Sequence, residues 1–307
     1  MLDDRLTEQR NSRSTKIDEF SSLEIVDLIN SEDQLVAQAV HEQRVEIARA
    51  IDLVTEAFLL NGRLIYVGAG TSGRLAVLDA SEMPPTFGSP AEMVQGIIAG
   101  GEAALVASQE SAEDSPVKGA DEIDLLRVAS NDFVLGIAAS GTTPFVHGAL
   151  TRAAQRGAKT GLLLCTEPNE FVLEKYEVVI SVLVGPEIVT GSTRMKAGTA
   201  TKMVLNMIST AAMVRTGKVF GNLMVNLQTN CEKLRDRAER MVMIILEVDR
   251  SEASILIKRA EGSVKIALVM GRLGVDFAKA QSLLAEAGGF VKKVFEQQEL
   301  EDLRFDS

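Results

Sequence analysis

Apolar residues first recur at helical spacing. Val40, Ile47, Ile51, Val54 and Phe58 share one face, Ser31 is a candidate N-cap, and Asn61-Gly62 closes the run. The period then changes. Residues 63–67, Arg-Leu-Ile-Tyr-Val, form a continuous apolar run of the kind found in strands buried on both faces. Similar runs at 93–99, 133–139, 160–165 and 177–183 alternate with helical patterns near 74–80, 102–110, 118–128 and 144–156. That alternation predicts βαβ units: an α/β fold with a three-layer αβα parallel sheet. Beyond Lys196 the strand signals stop. Helices are predicted at 196–216, 223–247, 251–260, 263–273, 276–286 and 289–297, broken at 274–276 and at Gly288-Gly289. The expected organisation is a polar N-terminal arm over 1–34, an α/β domain over 35–218, and a C-terminal all-helical region over 219–307. A small helical appendage is expected from about residue 250.

Two strand ends run into similar loops. Tyr66-Val-Gly-Ala-Gly-Thr-Ser-Gly73 follows the first strand, and Ile137-Ala-Ala-Ser-Gly-Thr-Thr-Pro144 follows the third. Each offers turning glycines, hydroxyls and the positive start of a helix, a combination suited to an anion. The candidates are Gly70, Thr71, Ser72 and Gly73 in one loop, and Ser140, Gly141, Thr142 and Thr143 in the other. Pro144 suits a first helical position. The competing reading is turn chemistry, needed simply to pack a helix on a sheet. Residues 68–73 formally match GxGxxG, but no acidic residue stands at the end of the second strand to take a ribose, since Glu92 precedes that strand and Glu102 follows its turn, so dinucleotide binding loses ground. A third run, 185–202, gathers Ser192, Thr193, Arg194, Lys196 and Lys202 as a candidate anion clamp. Alternatively, its lysines decorate a solvated helix face.

Composition narrows the chemistry. The 307 residues carry 43 acidic and 32 basic side chains, a net charge of −11, so no nucleic-acid partner is expected. Aromatic content is 4% without tryptophan, which argues against a base-stacking platform. Two cysteines, Cys165 and Cys231, and two histidines, His41 and His147, leave no disulfide framework and no metal-ligand spacing. No metal site and no cofactor are expected. The N-terminal residues lack a signal-peptide core, and the apolar stretch 203–214 is short and interrupted by Asn206, Ser209 and Thr210. The expectation is a cytoplasmic chain with no membrane partner.

The three loops together resemble the sugar isomerase (SIS) family, whose sheet is flavodoxin-like. More narrowly, the chain resembles the N-acetylmuramic acid 6-phosphate etherase family. The match is carried by Gly68-Ala-Gly-Thr-Ser-Gly-Arg-Leu75, Leu78-Asp-Ala-Ser-Glu-Met-Pro-Pro85, Ile98-Ala-Gly-Gly-Glu102, Ala112-Glu-Asp-Ser115, Ala139-Ser-Gly141 and the 185–202 run. Ser22-Leu-Glu24, Ile29-Asn-Ser-Glu-Asp33 and Gly217-Lys-Val-Phe-Gly-Asn-Leu-Met224 extend it over nearly the whole chain. The glucokinase regulatory protein, a non-catalytic relative, shares the 185–202 run.

The resemblance implies a lyase that removes D-lactate from N-acetylmuramate 6-phosphate by elimination and then water addition, without metal or nucleotide, in a homodimer. It marks Glu82 as the acid and Glu113 as the second catalytic carboxylate. From the residues alone, Glu82 is a loop carboxylate before a rigid Pro84-Pro85 turn, Glu113 and Asp114 suit a helix start, and Glu187 rivals Glu113 as base. His147 reads as a core or surface histidine. The chain departs from the family at Thr142, where an Arg is usual, so a positive charge is missing from that loop. A non-catalytic sugar-phosphate regulator and a sugar-phosphate isomerase are the alternative functions.

Overall fold

The computed structural model describes residues 5–227 and 232–305. Cys231 and residues 228–231 of the predicted 223–247 helix lie outside them, as do residues 1–4. Two compact units emerge, Met1–Glu82 with Pro90–Ala211, and Met83–Ser89 with Ala212–Ser307.

In the first unit, residues 5–20 form three single 3-10 turns, followed by α1 (Ser22–Glu42) and α2 (Arg44–Leu59). Helix α1 begins nine residues before the predicted cap at Ser31. Ser21 and Glu24 form a capping box in which the Ser21 hydroxyl accepts from the Glu24 N–H and the Glu24 carboxylate accepts from the Ser21 N–H. Ser31 lies inside the helix and donates back to the Leu28 carbonyl at 2.8 Å.

Then come β1 (Leu64–Gly68), α3 (Gly70–Phe87), β2 (Val94–Ile98), α4 (Ala103–Val106), α5 (Pro116–Leu125), β3 (Phe133–Ile137), α6 (Pro144–Gln155), β4 (Lys159–Leu164), α7 (Glu170–Lys175) and β5 (Val178–Ser181). All five predicted strands are present, within two residues of their predicted ends. The sheet is parallel throughout, in the order β2-β1-β3-β4-β5, so Gly68 pairs with Ile98 on one side and Ile137 on the other. Every residue of β1 and β3 is buried, as an apolar run between two helical layers requires. Helix α7 was not predicted; Asn169 caps it through the Val172 N–H. The predicted Pro84-Pro85 turn is instead helical, and α3 continues through both prolines to Phe87. Gly88 closes it, its N–H donating to the Pro84 carbonyl at 2.9 Å.

Helix α8 (Lys196–Arg215) contains the apolar stretch 203–214, of which Val204, Leu205, Ile208, Ala212 and Met213 are buried. Two of its three polar interruptions share a partner. Asn206 and Ser209 donate to one oxygen of Asp79, and the Tyr66 hydroxyl donates to the other at 3.0 Å, tying α3 and α8 to β1. Burial, offset by these donors, leaves the Asp79 pKa above the ordinary carboxylate value.

The second unit is mostly helical: α9 (Glu232–Leu246), α10 (Arg250–Arg259), α11 (Val264–Leu273), α12 (Phe277–Glu286) and α13 (Val291–Phe305). Asp249, Ser263 and Asp276 cap α10, α11 and α12. One correction applies to the region expected to be all-helical: β6 (Val219–Phe220) and β7 (Leu223–Met224) make a small antiparallel pair, and β7 takes the first two residues of the helix predicted at 223–247. Two residues per strand leave no hydrophobic period to read. Among the described residues no helix is long and apolar enough to cross a membrane.

Candidate functional site

The strand order reverses between β1 and β3, which opens a crevice at their carboxyl ends, the position where ligands bind in open parallel sheets. A cavity of about 350 Å³ lies there. A larger hollow of about 450 Å³, bordered by Gln43, Arg49 and Glu177, contains none of the residues singled out from sequence.

The first loop contributes Ala69, Gly70, Thr71 and Ser72 to the cavity wall. Gly73 lies behind it. A Cβ there would stand 2.6 Å from the Ile98 side chain and 2.8 Å from the Gly68 carbonyl, so at this position the turn-chemistry reading holds. The second loop contributes Ala139, Ser140, Thr142, Thr143 and Pro144, with Pro144 in the first turn of α6. The Ser140 and Thr142 hydroxyls are 3.0 Å apart, and Gly141 turns the chain, its N–H donating to the Ala138 carbonyl at 2.8 Å.

His147 braces this loop. Its Nε2 lies 2.8 Å from the Gly141 carbonyl, which can only accept, so Nε2 carries the proton. Nδ1 then accepts from the Tyr176 hydroxyl, also at 2.8 Å. Burial pushes the Tyr176 pKa up to about 12, which keeps that hydroxyl a donor.

Glu113 and Asp114 line the cavity from a 3-10 turn at Ala112–Asp114. They stand ahead of α5, whose cap is Ser115, rather than inside it. Helices α5 and α6 press so closely that a Cβ on Gly119 would lie 2.0 Å from the Phe145 carbonyl. This contact holds the acidic turn beside the second loop. Glu82 is placed differently. It is exposed on α3, ten residues beyond Ser72, roughly 15 Å along the helix, and is not among the cavity's lining residues.

The 185–202 run is divided. Gly191 and Thr193 reach the cavity, whereas Ser192, Arg194 and Lys196 do not line it. Arg194 is exposed. Lys196 is buried, with Nζ 2.6 Å from Glu32 Oε2. Glu187 is also buried, accepting from the Lys196 and Ala197 N–H groups at the start of α8, and burial raises its pKa. It caps a helix, which removes it as a rival to Glu113 on the wall.

Two lining residues carry no signal in the sequence: Arg5 and Glu8, from the segment read as a polar arm. Among the described residues, no group of three or more His, Cys, Asp or Glu side chains is placed to hold a metal ion.

The family model of the glucokinase regulatory protein N-terminal SIS domain matches residues 46–154. The chain is 48% identical over 296 residues to the N-acetylmuramic acid 6-phosphate etherase of Edwardsiella ictaluri, covering 96% of this chain and 98% of that one. It is 50% identical over 298 residues to the protein of that name from Salinibacter ruber, covering 97% and 96%. Among solved structures, phosphoheptose isomerase from Neisseria gonorrhoeae aligns over 62% of this chain and 98% of its own, at 16% identity and a TM-score of 0.47.

Proposed function

The chain belongs to the N-acetylmuramic acid 6-phosphate etherase family, and from that premise we propose that it cleaves the D-lactyl ether of N-acetylmuramate 6-phosphate, giving N-acetylglucosamine 6-phosphate and D-lactate. A base removes the C2 proton, the C3–O bond breaks as an acid protonates the departing oxygen, and a C2–C3 double bond forms. Water then adds, hydroxyl to C3 and proton to C2. The sequence is redox-neutral and needs no hydride carrier. Expulsion of an unprotonated alkoxide would be slow, so one carboxyl must donate while the other accepts.

The observation that supports this reading best is Glu113, a carboxylate that lines the same cavity as the hydroxyl residues Thr71, Ser72, Ser140, Thr142 and Thr143. Glu113 is assigned as base. Gly70, Thr71, Ser72, Ser140, Thr142, Thr143 and Thr193 hold the sugar phosphate. Glu82, assigned as acid, stands outside its own chain's cavity, so we assign it to the cavity of a second copy in a cytoplasmic homodimer.

The test is direct. Purified protein is incubated with N-acetylmuramate 6-phosphate and D-lactate is assayed enzymatically. Neither a sugar-phosphate regulator nor an aldose–ketose isomerase releases lactate, and its absence would overturn the proposal.

A further inference from the structure

The second loop has no charged residue of its own between Ala138 and Pro144. Three carboxylates, Glu8, Glu113 and Asp114, share the cavity wall with it. An anionic substrate entering there meets like charge, which the loop hydroxyls and N–H groups only partly offset. Among the described lining residues a single cationic side chain is present, and it comes from the far end of the sequence: Arg5.

Its placement is built into the fold. Residues 5–14 run as a strap over the 186–191 segment. The Thr7 carbonyl accepts from the Gly191 N–H at 3.2 Å, Asn11 donates to the Pro186 carbonyl at 3.2 Å, and Ser14 donates to the Ile188 carbonyl at 2.7 Å. Thr7, Asn11 and Ser14 are all buried, and Asn11 also donates to Glu32 at 3.0 Å. The strap delivers the Arg5 guanidinium to the second loop, where Nη1 donates to Thr142 Oγ1 at 3.0 Å.

We infer that Arg5 is a substrate-binding residue that engages the phosphate at the second loop, an inference resting on the substrate class proposed above. A guanidinium presents five N–H donors in a planar fork that matches phosphate oxygens in pairs, so it can hold a loop hydroxyl and a phosphate together. The strap's buried hydrogen bonds fix the group before the substrate arrives, which lowers the ordering cost of binding. Glu8, three residues on in the same strap, shares the cavity wall with Arg5.

The test measures binding of N-acetylglucosamine 6-phosphate by calorimetry to the full chain and to Arg5→Gln and Arg5→Lys variants, with melting midpoints recorded for each. Arg5→Gln is expected to weaken binding about 10- to 100-fold at an unchanged midpoint. Arg5→Lys falls between, because it keeps the charge and loses the fork. Added salt weakens the wild type more than Arg5→Gln. An Arg5→Gln affinity within about twofold of wild type overturns the inference. So does an equal loss in both variants accompanied by a lowered midpoint, since that pattern belongs to a strap fastener. Phosphosugar binding that depends on Arg5 in a protein that releases no D-lactate overturns the etherase reading and leaves Arg5 standing. Normal D-lactate release with Arg5-independent affinity does the reverse.

Discussion

The Lys196 ammonium lies 2.6 Å from Glu32 Oε2, and both side chains are buried. Burial alone would raise the Glu32 pKa, but Lys196, Asn11 and Arg13 outweigh it and hold the group below its ordinary value. A depressed carboxylate pKa contributes stability above the unfolded value that is lost as pH falls through the folded one. Removing the cation leaves a buried charge short of its main partner, so Lys196→Met is expected to cost about 3–5 kcal/mol in urea unfolding. Adding Glu32→Gln to that variant should recover part of the loss. A Lys196→Met protein as stable as wild type contradicts this account.

The first loop separates two kinds of glycine. Gly73 has no room for a methyl group, since a Cβ would press on Ile98 and on the Gly68 backbone. Gly70 has open space around it and only a φ of +52° to disfavour a side chain. Gly73→Ala should therefore cost about 1–3 kcal/mol through overpacking, and Gly70→Ala about 1 kcal/mol through backbone strain. Thermal unfolding of both variants checks the order. Reversal of that order would contradict the packing argument.

How much of this was legible in the chain depends on range. The five strands were readable because each is a short apolar run between turn residues, and the hydroxyl loops because they directly follow such runs. Lys196 shows the limit. Its basic side chain beside Thr and Ser reads as an anion clamp, yet it is paired with Glu32, 164 positions away, and no local pattern encodes that contact. Arg5 shows the converse: a polar segment reads as an arm because its partners, Gly191 and Thr142, are remote in sequence. The α3 boundary failed for another reason. Pro84-Pro85 is a strong turn signal, and here the helix persists through it.

His147 predicts a graded response. His147→Ala frees the Gly141 carbonyl at the bend of the second loop, so kcat/KM for D-lactate release should fall on the order of 10- to 100-fold, mostly through KM. Tyr176→Phe leaves the histidine and removes one hydrogen bond, a loss of about 1 kcal/mol in stability. Steady-state kinetics on His147→Ala indistinguishable from wild type would show that the loop holds its shape unaided.

Lys265 in the second unit gives a pH test. Burial, then repulsion from Lys218, lowers its pKa from 10.5 to about 8, while Nζ donates to the Gly289 carbonyl at 2.9 Å. The folded value lies below the unfolded one, so between pH 8 and 10.5 the unfolded chain holds this proton more tightly and stability rises with pH. Below pH 8 the cost is fully present. Wild type should gain on the order of 2 kcal/mol relative to Lys265→Met between pH 7.5 and pH 10. Urea titrations at the two pH values measure that difference, and parallel behaviour of the two proteins would contradict it.

The separation of Glu82 from the cavity that Glu113 lines leads to a complementation experiment. Glu82→Gln and Glu113→Gln should each lower D-lactate release by about 100- to 10,000-fold, the range expected when a general acid or base is lost. If both carboxylates served one cavity from the same chain, a mixture of the two variants would stay inactive. If Glu82 serves a second copy, a mixed dimer contains one cavity with both substitutions and one with neither. Random reassortment of equal amounts makes half of the dimers mixed, so activity should recover to about a quarter of wild type. The variants are unfolded together in urea, refolded by dilution and assayed for D-lactate. Recovery near that level supports the shared site. An inactive mixture, in a preparation where differently tagged chains are shown to have exchanged, excludes a Glu82 contribution from a second copy.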